Sequence, residues 1–157
     1  MPREGDTVNA NTSASTKKYV IYEVSVRQDS AENDPHPTTI ERRYTHFLNL
    51  YESLKKAHPD LMQNVTFPKK VLIGNFSTDV IAERSAAFEA FLDYIITKNL
   101  LREHASFIQF LQCDELTRAC QLLDERRNEQ AIPILENCFR LLNKVKLLNY
   151  YFCYSKL

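Results

Sequence analysis

A change of hydrophobic period between residues 38 and 54 constrains the fold of this chain most. Residues 38–44, Thr-Thr-Ile-Glu-Arg-Arg-Tyr, read as an extended segment. Directly after them Phe47, Leu50, Tyr51 and Leu54 recur at helical spacing, which places them on one face of a helix. Thr45 offers a hydroxyl to cap the start of that helix, and Pro59 forbids its continuation far past His58. Upstream, residues 18–27 alternate, with Val20, Tyr22, Val24 and Val26 on one face and Tyr19, Ile21, Glu23 and Ser25 on the other. The simplest arrangement is an antiparallel hairpin. Its turn-rich loop spans 28–37 and carries Asn33-Asp34-Pro35, and its second strand passes straight into a helix. The fold class is α+β, a small antiparallel sheet packed on helices.

Further along, the pattern is helical. Residues 61–76 form a loop, after which Ser77 or Thr78 caps a long helix with Asp79 at its positive end. Val80, Ala87, Phe88, Phe91, Leu92 and Ile95 make its buried stripe, and a short helix with Phe107, Phe110 and Leu111 closes this unit. Beyond Asp114, Leu116, Ala119, Cys120 and Leu123 form one stripe. Ala131, Ile134, Leu135, Cys138, Leu142 and Val145 form a second, and Glu125-Arg126-Arg127-Asn128 breaks the two. Two such helices make a hairpin of the tetratricopeptide kind, which cannot bury its apolar stripe alone. It is expected to dock near Phe107 and Phe110, leaving the aromatic tail 149–154 exposed.

Composition removes several function classes. With 44% hydrophobic residues and only 2 glycines the chain can build a packed core. Lys and Arg number 20 against 20 Asp and Glu, so the basic excess usual for a nucleic-acid partner is missing and any anion is met locally. No apolar run approaches the roughly 20 residues that span a bilayer, and the polar segment 1–16 reads as flexible and lacks a signal peptide's apolar core. Cys113, Cys120, Cys138 and Cys153 form no Cys-x-x-Cys pair and have no histidine at ligand spacing. They read as reduced thiols packing helices in a cytosolic protein, not as a zinc site or a disulfide framework. His36, His46, His58 and His104 share no ligand spacing, and Gly5 and Gly74 are too few for a phosphate loop. No serine or cysteine sits in a nucleophile motif. The expectation is a protein with no enzymatic activity, no cofactor and no metal.

The residues suited to binding cluster in order. Arg42 and Arg43 end the second strand and Tyr44 follows; a guanidinium fork suits bidentate phosphate binding, and an adjacent aromatic can stack on a ring. Phe67-Pro68-Lys69-Lys70 adds a lysine pair, followed by the apolar triplet Val71-Leu72-Ile73 and then Gly74-Asn75-Phe76. Arg84 falls on the stripe of Ala87, Phe88 and Phe91, where an unpaired charge is costly and needs a partner.

These four elements in this order resemble the phosphoinositide-binding PX domain of the sorting nexins, over residues 17–113. The resemblance implies that Arg43 holds the 3-phosphate of the inositol headgroup and Tyr44 stacks on its ring. It likewise implies that Lys70 meets the 1-phosphate and Arg84 reaches the 4- and 5-hydroxyls. Three departures stand out. His46 replaces the usual acidic or polar residue, and the family's Pro-x-x-Pro-x-Lys loop is reduced to Pro68. The family sheet also has three strands, the first of which should precede Lys17. Segment 1–16 offers only Val8, so the sheet is two-stranded here or altered at this end. The whole chain is most similar to the subgroup of sorting nexins twenty and twenty-one, with 114–157 as a truncated tetratricopeptide-like hairpin and tail.

The implied protein is a cytoplasmic, non-enzymatic adaptor peripheral on the cytosolic face of early endosomes. It reads phosphatidylinositol 3-phosphate and holds a protein cargo or tether through its C-terminal helices, with no nucleic-acid partner. The alternative is a protein–protein scaffold whose PX-like domain has lost lipid binding. Val71-Leu72-Ile73 reads either as core or as a wedge entering the lipid surface.

Overall fold

The structure, a computed structural model, describes residues 18–28, 38–71, 73–146 and 150–155. The segment 1–16 and nearly all of the loop 28–37 lie outside them. The alternating stretches form strands β1 (Ile21–Gln28) and β2 (Thr38–Arg43), paired antiparallel with Ile21 opposite Arg43 and Val26 opposite Thr38. Tyr22, Val24, Val26 and Ile40 are buried on the inner face, as the two-residue period requires. Without any linker β2 becomes α1 (Tyr44–Ala57). The helix begins one turn position earlier than expected, so Thr45 lies inside the first turn and is exposed instead of capping it. The backbone N–H of Arg43 instead donates to Nδ1 of His46 at 3.4 Å. Pro59 opens the short α2 (Pro59–Met62), where its missing N–H is no loss.

Helix α3 (Thr78–Thr97) is capped by Ser77, whose hydroxyl accepts the Val80 N–H at 3.4 Å, and it buries Phe88, Phe91, Leu92 and Ile95. Phe88 is the hub of the core. It stacks on Phe47 of α1 at 3.9 Å and takes Tyr22 of β1 edge-on at 5.0 Å. After α4 (Asn99–Arg102) comes α5 (Ala105–Asp124). The short helix expected around Phe107 and the helix expected beyond Asp114 are one continuous rod, because the junction holds no glycine or proline to break it. Continuity also corrects the distal stripe. The phase set by Leu111 runs on through Glu115, Ala119 and Leu122, so Ala119 and Leu122 are buried while Cys120 and Leu123 are exposed.

Helix α6 (Asn128–Lys146) packs antiparallel on α5. The turn between them is a Schellman motif: the Arg126 N–H bonds the Leu123 carbonyl at 2.9 Å and the Arg127 N–H bonds that of Leu122 at 2.8 Å. Arg126 holds the left-handed position at φ 59°. Ala131 meets Ala119 and Leu122 in a small cluster, whereas Leu141 and Val145 enter the main core shared with Phe107 and Phe110. Asn137 donates to the Thr39 carbonyl at 2.9 Å, tying α6 to β2.

The aromatic tail is not left over. Residues Tyr150–Ser155 form β3, which pairs antiparallel with β1, Glu23 opposite Ser155 and Gln28 opposite Tyr150. Among the described residues the sheet is three-stranded, in the order β2-β1-β3. A third strand thus comes from downstream of the helices, while the segment ahead of Lys17, where the family's first strand should lie, is outside the described residues.

Candidate functional site

The strand-to-helix junction fixes two arginines in opposite directions. Arg42 points inward and is 2% exposed, while Arg43, one residue on, points to solvent. The guanidinium of Arg42 is fully committed. Its Nη1 and Nη2 donate to the two carboxylate oxygens of Glu115, both at 2.7 Å, and its Nε donates to the Phe110 carbonyl at 2.6 Å. Arg43 meets no carboxylate among the described residues; its guanidinium carbon lies 4.7 Å from the centre of the Tyr19 ring. That places a cation on an aromatic face at the protein surface.

Tyr44 opens α1 half-buried. Its hydroxyl donates to the Pro68 carbonyl at 2.8 Å, and its ring packs on Phe67 and Phe88. Burial raises the pKa of that hydroxyl, against the opposing pull of the Arg84 charge. Arg84, two turns into α3, is buried; its Nε has no hydrogen-bond partner, and its guanidinium lies against the Tyr44 ring. One face of Tyr44, the residue expected to stack on a ligand ring, thus carries the Arg84 cation.

The loop with the lysine pair is held without the second proline. Phe67 stacks on Tyr51 at 4.8 Å, Tyr51 donates to the Val65 carbonyl at 3.3 Å, and Asn75 Nδ2 donates to the Val71 carbonyl at 2.8 Å. Gly74, at φ 83°, turns the chain toward α3 in a conformation that a side chain would strain. Lys70 faces the groove, and Lys69 is exposed away from it. In the triplet, Val71 is half-buried and Ile73 is 89% exposed, while Leu72 lies outside the described residues.

Arg43, Tyr44, Lys70 and Arg84, chosen from positions far apart in the sequence, therefore line one groove of about 220 Å³. Lys18, Tyr19 and Asn75 line it too and were not singled out from the sequence. The signal for Tyr19 was available: it shares an outward face with Ile21, and Ile21 opposes Arg43, so Tyr19 is the diagonal neighbour of Arg43. Among the described residues four cations face the groove and no acidic side chain lines it. Such a surface attracts an anion bearing more than one charge.

His46 lies behind Arg43, half-buried, with Nδ1 3.6 Å from the Asp114 carboxylate. Burial, helped by the nearby charges of Arg43 and Arg42, holds its pKa below the ordinary value, against the opposing pull of Asp114 and Glu115. The cysteines divide. Cys138 is a buried thiol packed between helices, with its pKa raised by that burial, whereas Cys113 and Cys120 are free and exposed rather than packed.

The fold and the groove together define a small α+β module with a cationic groove. The PX domain model matches residues 30–114, and the chain belongs to the PX domain family. It is similar to sorting nexin-20 of Bos taurus, 34% identical over 128 residues, which is 82% of this chain and 40% of that protein. It is also similar to sorting nexin-21 of Mus musculus, 33% identical over 124 residues, 79% of this chain and 34% of that protein. The chain thus spans well under half the length of either relative. Among solved structures, a designed CISK-PX domain aligns with 59% of this chain and 81% of its own, at 20% identity and a TM-score of 0.47.

Proposed function

We propose that this chain reads a 3-phosphorylated phosphoinositide headgroup, as part of a sorting nexin-type adaptor recruited to endosomal membranes. The observation that carries the reading is the convergence of Lys18, Arg43, Lys70 and Arg84 on one groove with no acid lining it among the described residues. An inositol ring bearing a 1-phosphodiester and a 3-phosphate presents anions on either side of an apolar ring face, and the groove offers cations around an aromatic wall. In this reading Arg43 takes the 3-phosphate, Lys70 the 1-phosphate, and Arg84 the ring hydroxyls from its place on Tyr44. Basic side chains near an anionic membrane surface add about 1 kcal/mol each. Ile73, at 89% exposed, and Phe76, at 58% exposed, stand beside Lys70 and Asn75; an apolar insertion there supplies the second anchoring signal that durable membrane attachment needs. No helix among the described residues is long and apolar enough to cross a membrane; the reading is one of peripheral attachment. On the α5–α6 hairpin, Leu123, Ile132 and Phe139 are exposed, and this is the surface through which a protein cargo or tether would be held.

The test is titration calorimetry with a soluble, short-chain phosphatidylinositol 3-phosphate, alongside liposome sedimentation across the phosphoinositide series. Arg43 is exposed and carries no packing role in the core, so Arg43→Ala should leave the fold intact. Affinity should fall by about 1.5–3 kcal/mol, the range of a bond to a charged group. A folded Arg43→Ala protein with unchanged affinity would sink the assignment. A wild type that binds no phosphoinositide would turn the reading to the scaffold alternative.

A further inference from the structure

The groove's principal cation is held from outside the stretch that the family model covers. Arg42 and Arg43 are adjacent in an extended backbone, so their side chains point in opposite directions. Whatever fixes the inward direction of one fixes the outward direction of the other. Arg42 is 2% exposed, with both terminal nitrogens on Glu115 and Nε on the Phe110 carbonyl. Its Nη1 also bonds the Glu41 carbonyl at 2.8 Å, which pins the strand backbone itself. Glu115 lies just past residue 114, in the part of α5 that leads into the hairpin. Its place on the line of Leu111 and Ala119 turns a largely buried carboxylate toward the Arg42 guanidinium, which compensates its charge. Removing that carboxylate leaves the Arg42 guanidinium buried and uncompensated. It is relieved only if the strand end turns Arg42 toward solvent, which carries Arg43 off the Tyr19 ring.

We infer that Glu115 is a positioning residue for Arg43, acting through Arg42, and that the hairpin is thereby part of the headgroup-reading unit. The inference rests on the function proposed above. The bidentate geometry sets direction as well as distance, which a single contact does not. Lys18, Lys70 and Arg84 have no such link to Glu115, so the effect should pass through Arg43.

The experiment has a ligand-free arm and a ligand arm. In side-chain nitrogen–proton spectra, the Nε–H of Arg43 should be shifted upfield by the Tyr19 ring. Glu115→Gln should remove that shift, while Glu136→Gln, which breaks the exposed pair with Arg140, should not. With soluble phosphatidylinositol 3-phosphate, Glu115→Gln should weaken binding about tenfold at a temperature where the variant is folded. It should add less than twofold in an Arg43→Ala background. Glu115→Asp keeps the charge but loses the second oxygen contact; it serves if Glu115→Gln does not fold, and should weaken binding about threefold. The inference is overturned if the Arg43 signal and the affinity survive in the folded variants. It is equally overturned if the loss is the same with and without Arg43, because that describes general destabilisation. A wild type that binds no phosphoinositide overturns the function proposed above, while the spectra still decide whether Glu115 places Arg43.

Discussion

The guanidinium carbon of Arg84 lies 4.3 Å from the centre of the Tyr44 ring. The two residues are brought together from the first residue of α1 and the second turn of α3, and each limits the other. Tyr44 keeps a cation where the core would otherwise exclude it, and Arg84 occupies one face of the Tyr44 ring. Arg84 is also 4% exposed with an unsatisfied Nε, the kind of local cost that binding sites carry.

Arg84→Met is therefore expected to separate stability from binding. An unpaired buried donor costs about 1–3 kcal/mol, against about 0.5–2 kcal/mol gained from the ring contact. Urea unfolding should find the variant as stable as wild type or more so, while calorimetry finds headgroup affinity lowered at least tenfold. A strongly destabilised Arg84→Met protein would mean that the arginine is a structural element first.

A substitution at Ile73 is expected to separate headgroup recognition from membrane attachment. It is almost fully exposed and touches none of the groove residues' hydrogen bonds, so Ile73→Asp should not disturb the fold beyond about 0.5 kcal/mol. Binding to soluble headgroup should be preserved and sedimentation with liposomes reduced. Equal losses in both assays would make the residue part of the pocket instead of a wedge.

His46 gives a pH dependence of definite sign. Its folded pKa lies below the ordinary 6.5, chiefly through burial. Below pH 6.5 the unfolded chain takes up the proton more readily than the folded one, and stability falls as the pH drops toward the folded value. Above 6.5 both states are neutral and the contribution is complete. Urea midpoints at pH 7.5 and 5.5 should differ more for wild type than for His46→Gln. Asp114 and Glu115 on α5 and Arg42 and Arg43 on β2 surround the ring, so the comparison needs the variant to cancel their shared background.

Arg126 sits where helix ends favour glycine. A left-handed conformation costs a side-chain-bearing residue about 1–2 kcal/mol, partly offset by the greater unfolded-state freedom of glycine. Arg126→Gly should raise unfolding stability by about 0.5–1 kcal/mol without changing headgroup affinity. A loss of stability would show that the side chain contributes contacts worth more than the strain.

Much of this molecule was legible because its periods are clean. Tyr22, Val24 and Val26 alternate, Phe47, Leu50 and Leu54 repeat by turns, and Arg84 betrays itself as a charge on an apolar stripe. The groove residues were legible for a different reason, the order of their short motifs along the chain. What stayed hidden depended on phase and distance. Cys120 and Leu123 look as apolar as Leu122, and only the continuity of α5 from Phe107 decides which of them faces inward. Glu115 looks like any surface glutamate until Arg42 is placed opposite it, 73 residues away in sequence. The run of aromatic residues at 150–154 has strong strand propensity, but propensity does not name a partner, and β1 is far from it along the chain.

The pairing of β1 with β3 also sets an order of events. Every described helix lies between these two strands in the chain. Closing so long a loop is a slow, non-local step compared with forming the β1–β2 hairpin or any single helix. During synthesis the edge of β1 away from β2 stays unsatisfied until Tyr150–Ser155 has been made. Among the described residues, the strand that comes first in the chain is completed by the one that comes last.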